Sequence, residues 1–279
     1  MTLAINDQTA GPDDAPKVEV LATGLDPDVA TVTAWRLSNG IEQEVGGIIR
    51  AAVAGAGTWI DYDVPAQAAT YRLQYFDSTG VSLGYSESVT IELGYSGCWL
   101  HNPAAPTLAV RVDLAGSTGR SLSRPVPGSL VRPLGRRVGV VVANPRQGLT
   151  GLQFDVRCMT IQDADKVQAM LGTATTNLPP VICVRRGVDY SGFRVPSPLF
   201  LAVFDIAEED INIAWGGGED TRQRMVGDEA ARPAPGIFIP LLRRKDVNAF
   251  YASRAAFNAA YLTRLAANRD YSLAGYAGV

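Results

Sequence analysis

From Lys17 to about Leu93 the chain is a succession of short runs in which apolar and polar residues alternate, each cut off by turn formers. Val18 and Val20 follow this pattern, as do Val32, Ala34 and Arg36 set against Thr33, Trp35 and Leu37. So do Trp59 and Asp61, then Tyr71, Leu73 and Tyr75, then Val89, Ile91 and Leu93. A period of two sends alternate side chains to opposite faces of an extended strand and does not build a helical stripe. The interruptions are Ser38-Asn39-Gly40, Gly55-Ala56-Gly57, Val64-Pro65 and Asp77-Ser78-Thr79-Gly80. Turns every ~8–12 residues, with no helical stretch between them, predict a small β-sandwich. It is placed at residues 15–94. The polar residues 1–14, with Gly11, Pro12, Asp13 and Asp14, predict a flexible arm or an extended segment that docks on a partner.

A turn-rich break, GYSGCWLHNPAAP, follows and reads as a linker at residues 95–106. Beyond it, Leu108, Val110, Val112 and Leu114, the run VGVVVAN at 138–144, and Leu152, Phe154, Val156 and Cys158 read as strands with one buried face. Residues 161–172 predict a short helix: Asp163 and Asp165 lie near its start, Val167, Met170 and Leu171 share a face, and Gly172 ends it. Strands at 181–184 and 199–206 come next, the second ending in an acidic turn, Glu208-Glu209-Asp210. A second β domain is therefore placed at 107–245. From Asp246, the positions Val247, Phe250, Tyr251, Ala255, Phe257, Tyr261 and Leu265 have helical spacing, with Arg254, Arg264 and Arg269 among them. The segment 246–279 predicts an amphipathic helix that packs on the second domain or on another subunit.

Composition narrows the chemistry. A chain of 279 residues, 47% hydrophobic and 19% charged, has room for two domains and a core that needs no disulfide or metal. It contains no apolar run of about 18 residues, so no membrane span is expected. The opening MTLAINDQTAGPDDAP lacks the basic and apolar regions of a secretory signal. A net charge of −3 gives no reason to expect nucleic acid. Cys98, Cys158 and Cys183 are widely separated and odd in number, which reads as buried thiols in a reducing cytoplasm. His101, the single histidine, falls in the linker with no nucleophile elbow nearby, and no CxxC or HxxxH spacing offers a zinc site. Gly216-Gly217-Gly218 lacks a following Lys-Ser/Thr and reads as a hairpin tip. Asp61 and Asp63 are expected on the solvent face of a strand, and Asp163 and Asp165 in a first helical turn, where negative charge is favourable. No catalytic, cofactor-binding or metal-binding residue is assigned, and no enzyme activity is expected.

One feature is less neutral. Arg111, Arg120, Arg124, Arg132, Arg136, Arg137 and Arg146 are opposed in their segment only by Asp113, with Ser, Pro and Gly between them. Without interleaved aromatics this is a poor platform for single strands, whereas guanidinium groups suit bidentate contacts to carboxylates. The expectation is that Arg120, Arg124, Arg132, Arg136 and Arg137 of one subunit meet Glu208, Glu209 and Asp210 of the next in a ring. An alternative is a module that binds host cell-wall glycan, with Trp59, Tyr62, Tyr85 and Tyr95 as its aromatic candidates.

The stretches TVTAWRL and DYDVPAQAATYRLQYFDSTGVSLGYSESVTIEL resemble the strands of a fibronectin type III or immunoglobulin-like module. In that resemblance Trp35 is its buried tryptophan and Tyr71 its corner tyrosine. The later order also resembles a known family: Asn144-Pro145-Arg146-Gln147-Gly148, then GLQFDVRCMT, DADKVQAMLG, PVICVRR and LFLAVFDIAEEDI, preceded by CWLHNPAAPTLAVRVDL and GRSLSRPVPGSLVRPLGRR. It is similar to minor tail proteins of long-tailed actinobacterial phages, over roughly residues 15–260. The resemblance implies a mainly β fold: a sandwich, a split barrel like that of distal tail proteins with one short helix, and a helical C-terminal segment. It implies a virion component at the tail tip or baseplate, assembled in the host cytoplasm as a homo-oligomeric ring. The partners it implies are the tail tube, the hub and a receptor-binding protein.

Overall fold

The structure is a computed structural model that describes residues 1–211, 219–233, 244–251 and 253–261. The alternating runs of the first part form β1 (Thr2–Asp7), β2 (Val18–Thr23), β3 (Thr31–Ser38), β4 (Ile41–Glu44), β5 (Ala51–Ala52), β6 (Gly57–Asp61), β7 (Ala69–Phe76), β8 (Ser82–Tyr85) and β9 (Val89–Ile91). One antiparallel sheet has the order β1-β2-β6 and the other β4-β3-β7-β8, with β5 beside β3 and β9 beside β7. The period of two does what it predicts: Val18, Val20 and Ala22 meet Val32, Ala34, Tyr71, Leu73 and Tyr75 between the sheets.

Three details of this domain differ from expectation. Residues 2–7 are no free arm; they pair in register with 18–23, and Leu3 is buried, so β2 satisfies their backbone. Trp35 is only half-buried and donates its indole N–H to Gln74 at 3.2 Å. It lies opposite the inward set Val32, Ala34 and Arg36, so a guanidinium occupies the place expected to be apolar. The Tyr71 hydroxyl donates to the Asp61 carboxylate at 2.8 Å rather than to the main chain.

The second part comprises β10 (Cys98–Asn102), β11 (Ala105–Leu114), β12 (Gly128–Val131), β13 (Val140–Ala143), β14 (Leu152–Cys158), α1 (Ile161–Ala169), β15 (Val181–Arg186), β16 (Leu199–Asp210) and β17 (Thr221–Glu229). The antiparallel strands β10-β11-β14-β17-β16-β15 close into a barrel whose thinnest seam, β11 to β14, pairs at only two positions. Leu100, Val112, Phe154, Val184, Leu201 and Met225 fill it. The α1 helix starts at Thr160, whose hydroxyl accepts from the Asp163 N–H, and it turns Ala164 and Val167 into the same core. The chain is thus mainly β, with a sandwich followed by a barrel.

The barrel also moves some expected boundaries. Residues 95–106 are not a linker, because 98–102 form the first barrel strand and all five are buried. Cys98 and Leu100 face the barrel core, while the sandwich covers the opposite face, so neither side of this strand reads as exposed. The acidic stretch is not a turn, since Glu208, Glu209 and Asp210 lie within β16 and pair with β17. Gly216-Gly217-Gly218 lies outside the described residues. Among the described residues of the C-terminal segment, two short helices form, α2 (Arg244–Phe250) and α3 (Arg254–Ala260). Tyr251 sits between them, edge-on to Phe250 at 4.9 Å and to Phe257 at 5.5 Å. Leu265, Arg264 and Arg269 lie outside the described residues.

Candidate functional site

Two features stand out against the usual arrangement of apolar inside and charged outside: charge is buried where the domains meet, and apolar surface projects where the barrel meets solvent.

The first is built from the two antiparallel neighbours β10 and β15. Their outer face carries Trp99 and His101 from one strand and Cys183 and Arg185 from the other, with His101 directly opposite Cys183. The sandwich lays its Asp61-Tyr62-Asp63 corner against this face. His101 and the Asp63 carboxylate are 2.9 Å apart, and the other Asp63 oxygen accepts from the Nε of Arg232 at 2.5 Å. A carboxylate only accepts, so Nε2 of His101 carries the proton and donates; Nδ1 is then a buried acceptor with no partner. Arg36 donates to Asp61, which also accepts from Tyr71 and from the Asp63 N–H at 2.8 Å. Arg185 donates to the Pro16 carbonyl at 2.5 Å and lies over the Tyr95 ring, whose hydroxyl donates to the Val64 carbonyl at 3.0 Å. Sandwich and barrel are therefore joined by buried polar bonds as well as by the chain.

Burial sets the electrostatics here. It lowers the His101 pKa against the pull of Asp63, so the ring is held neutral. Burial also raises the Asp63 carboxyl, but the His101 hydrogen bond and the Arg232 guanidinium outweigh it and hold the group well below the ordinary carboxylate range. Burial pushes the Cys183 thiol well above its ordinary value. Asp63, His101 and Cys183 present donor atoms within 4.8 Å of one another, a spacing that invites a metal or a thiol–imidazole–carboxylate reading. Neither fits the surroundings. Arg36, Arg185 and Arg232 already exceed Asp61 and Asp63 in charge, so a divalent cation would be repelled and the thiol is in its non-ligating form. A nucleophile also needs a lowered pKa and a path to substrate, whereas Cys183 and His101 are each 0% exposed.

The sequence reading missed this cluster. It placed Asp61 and Asp63 toward solvent and His101 in a linker, yet all are buried. The signal was present: a charged residue within an otherwise apolar strand, Arg36 at an inward position of TVTAWRLS and Arg185 following the apolar run of VICVRR. A buried cation of that kind requires a buried anion nearby.

The second feature is the hairpin β12–β13. It pairs Gly128 with Ala143 through Val131 with Val140, and the pairing extends back to a bridge between Ser123 and Thr150. By strand geometry the arm reaches about 25 Å. The run 138–144 was expected to bury one face, but Val140, Val141 and Val142 are 44–70% exposed. Among the described residues the two strands pair only with each other, which leaves both faces and both edges open. Leu134 and Val138 near the tip are more exposed still.

The arginines follow this arm. Arg120 donates to the Gly116 carbonyl at its root, and Arg146 bonds the Arg124 carbonyl across it. Arg132, Arg136 and Arg137 are exposed around the tip, and none of their side chains has a hydrogen-bond or ion-pair partner among the described residues. The acidic residues sit on β16, a different part of the barrel, so the chain does not bring the two sets together within one subunit. They are engaged locally: Glu208 accepts from Gln223 at 2.8 Å, Glu209 pairs with Arg224 at 2.7 Å, and Asp210 is not free either. The aromatic candidates do not converge either. Trp59 packs on the sandwich core from β6, Tyr85 stands on β8 of the other sheet under Arg72, and Tyr95 lies at the domain junction.

A cleft of about 770 Å³ also opens between the domains, lined by Arg36, Arg186, Arg194 and Arg232 together with Glu44 and Glu229, with Phe193 and Phe200 among its apolar walls. Scanning the chain against protein-family models matches none, and neither the curated proteins nor the solved structures return a match.

Proposed function

We propose that the chain is a structural, non-enzymatic subunit of a phage tail tip or baseplate, which assembles as a homo-oligomer and connects the tail to host-recognition proteins. The sequence resemblance to minor tail proteins supplies the setting. The observation that carries the reading is the arm β12–β13. An isolated two-stranded ribbon is marginal in water, and this one holds Leu130, Val131, Val140, Val141 and Val142 in solvent. Such a surface is completed by a partner chain, and its unpaired arginines give that contact polarity and register. The buried junction supports the same reading, since it ties sandwich and barrel together and gives an assembly a stiff building block.

Mass photometry and negative-stain imaging of the purified full-length chain test the self-assembly. A closed oligomer is expected. A chain that stays monomeric across the accessible concentration range removes self-assembly from the reading. Labelling of intact particles with an antibody against the chain tests the location, and signal anywhere but the tail tip refutes it.

A further inference from the structure

The partner surface for this arm is identifiable. Along β17, Gln223, Met225 and Gly227 are buried, so Arg224, Val226 and Asp228 face outward. The register with β16 runs from Ala202 opposite Asp228 to Val203 opposite Gly227, then slips before Ile206 meets Met225. At that bulge two residues, Phe204 and Asp205, stand opposite the single Val226, which breaks the alternation and leaves both exposed. Phe204 is 80% exposed and Val226 is 61% exposed, side by side on the outer wall of a closed barrel. The Asp205 side chain has no partner among the described residues, Asp228 at the next outward position accepts the Gly151 N–H at 2.6 Å, and Arg224 on the other side of Val226 is neutralised by Glu209 at 2.7 Å. The bulge therefore presents an aromatic anchor and a β-branched neighbour with carboxylates beside them.

We infer that this wall is the seat for the β12–β13 arm of a second copy of the chain. The inference deepens the structural reading above and rests on it. Complementarity argues for a second copy: the arm is apolar with unpaired arginines around it, and the seat is apolar with carboxylates beside it. The interdomain cleft is the other concave candidate, but Glu44, Glu229 and the ion-paired Asp61 and Asp63 only balance its four arginines, so it offers the arm's cations no net complement. The pairing is heterologous, since the arm and the seat are different parts of one molecule. Repetition then gives a ring if the rotation closes and a filament if it does not.

The test compares the full-length chain with two variants, Val141→Asp on the arm and Phe204→Asp on the seat, by sedimentation velocity. Both positions are exposed, and thermal melts verify that each variant folds. Should Phe204→Asp lose its melting transition, Val226→Asp probes the same wall. Each variant alone is expected to self-associate at least about tenfold more weakly than the parent chain, as loss of a central anchor does. An equimolar mixture is expected to form one-to-one pairs and nothing larger, because the mixture retains one intact arm and one intact seat. If Phe204→Asp and Val226→Asp assemble like the parent while Val141→Asp does not, the seat is wrong and the self-assembly reading survives. A mixture that stays monomeric overturns the pairing of arm with seat. A parent chain that is itself monomeric removes self-assembly from the structural reading and the seat with it.

Discussion

The ion pair between Arg36 and Asp61 bridges the two sheets of the sandwich with side-chain exposures of 3% and 1%. Replacing Asp61 with asparagine keeps the shape and an acceptor for Tyr71, but it leaves the Arg36 charge in a desolvated site without its hydrogen-bonded counter-charge, with Asp63 acting only from beyond that contact. Breaking a buried pair in this way costs about 3–5 kcal/mol, against a total folding stability of about 5–15 kcal/mol. For a protein of this size each kcal/mol lowers the melting temperature by about 2–4 °C, so a fall of roughly 6–20 °C is expected. The loss belongs to the stranded charge and not to the missing carboxylate. The double variant Asp61→Asn with Arg36→Met, which removes both charges at similar volume, is therefore expected to recover most of it. Calorimetry and urea unfolding of parent, single and double variants measure the three values. A single variant within about 1 kcal/mol of the parent would show that Arg36 reaches water through the neighbouring cleft, and a double variant no better than the single would refute the stranded-charge account.

The single histidine makes the pH dependence assignable. His101 is held neutral with a pKa below its ordinary 6.5, so the unfolded chain binds a proton more readily, and stability falls as pH drops below about 6.5. The depressed Asp63 carboxyl adds a second loss as pH falls below its ordinary 3.8. His101→Gln should flatten the first window and leave the second, and a parent melting temperature constant from pH 7.5 to about 5 would contradict this. Burial pushes the Cys98 and Cys158 thiols up to about 12, and Cys183 also well above its ordinary value. The folded chain is thus expected to resist a thiol-titrating disulfide reagent that reacts with all three cysteines in denaturant; rapid native labelling of any of them would show an open path to that site. A Cβ at Gly46 would lie 1.7 Å from the Arg232 guanidinium. Gly46→Ala should therefore push Arg232 off Asp63 and destabilise about as much as Arg232→Ala, and a silent Gly46→Ala would mean the ion pair re-forms elsewhere.

Much of the fold was legible because a period of two leaves few choices: Val32, Ala34, Tyr71, Leu73 and Tyr75 face inward as their alternation requires. The α1 helix was legible from its ends as well, although the cap is Thr160. What escaped were elements whose environment is set by distant chain. Strand 98–102 is buried on both faces, by the barrel on one and the sandwich on the other, and its turn-rich flanks hid it. The residues β13 exposes are as apolar as those of any buried strand, so local pattern cannot reveal that none of the described residues covers them. The charged junction was hidden for the converse reason, because Asp63 finds its partners 38 and 169 residues away.

These two inversions have one physical consequence. Apolar packing at a domain junction is non-directional and tolerates sliding, whereas the bonds around Asp63 and Asp61 have fixed partners and directions, so a shifted junction leaves charges buried and unpaired. The sandwich is thereby held to a defined orientation on β10 and β15. The arm is rooted on the same barrel, where Leu149 is buried in the core beside its base and Leu122 packs against it. An arm that leaves a stiff body at a fixed angle delivers its apolar face to the same place on each neighbour. A hinged body would spread that contact over many orientations and oppose it with the entropy of ordering them. The buried charge and the exposed hairpin are in this sense complementary, since directional bonds inside the subunit favour a repeatable apolar contact between subunits.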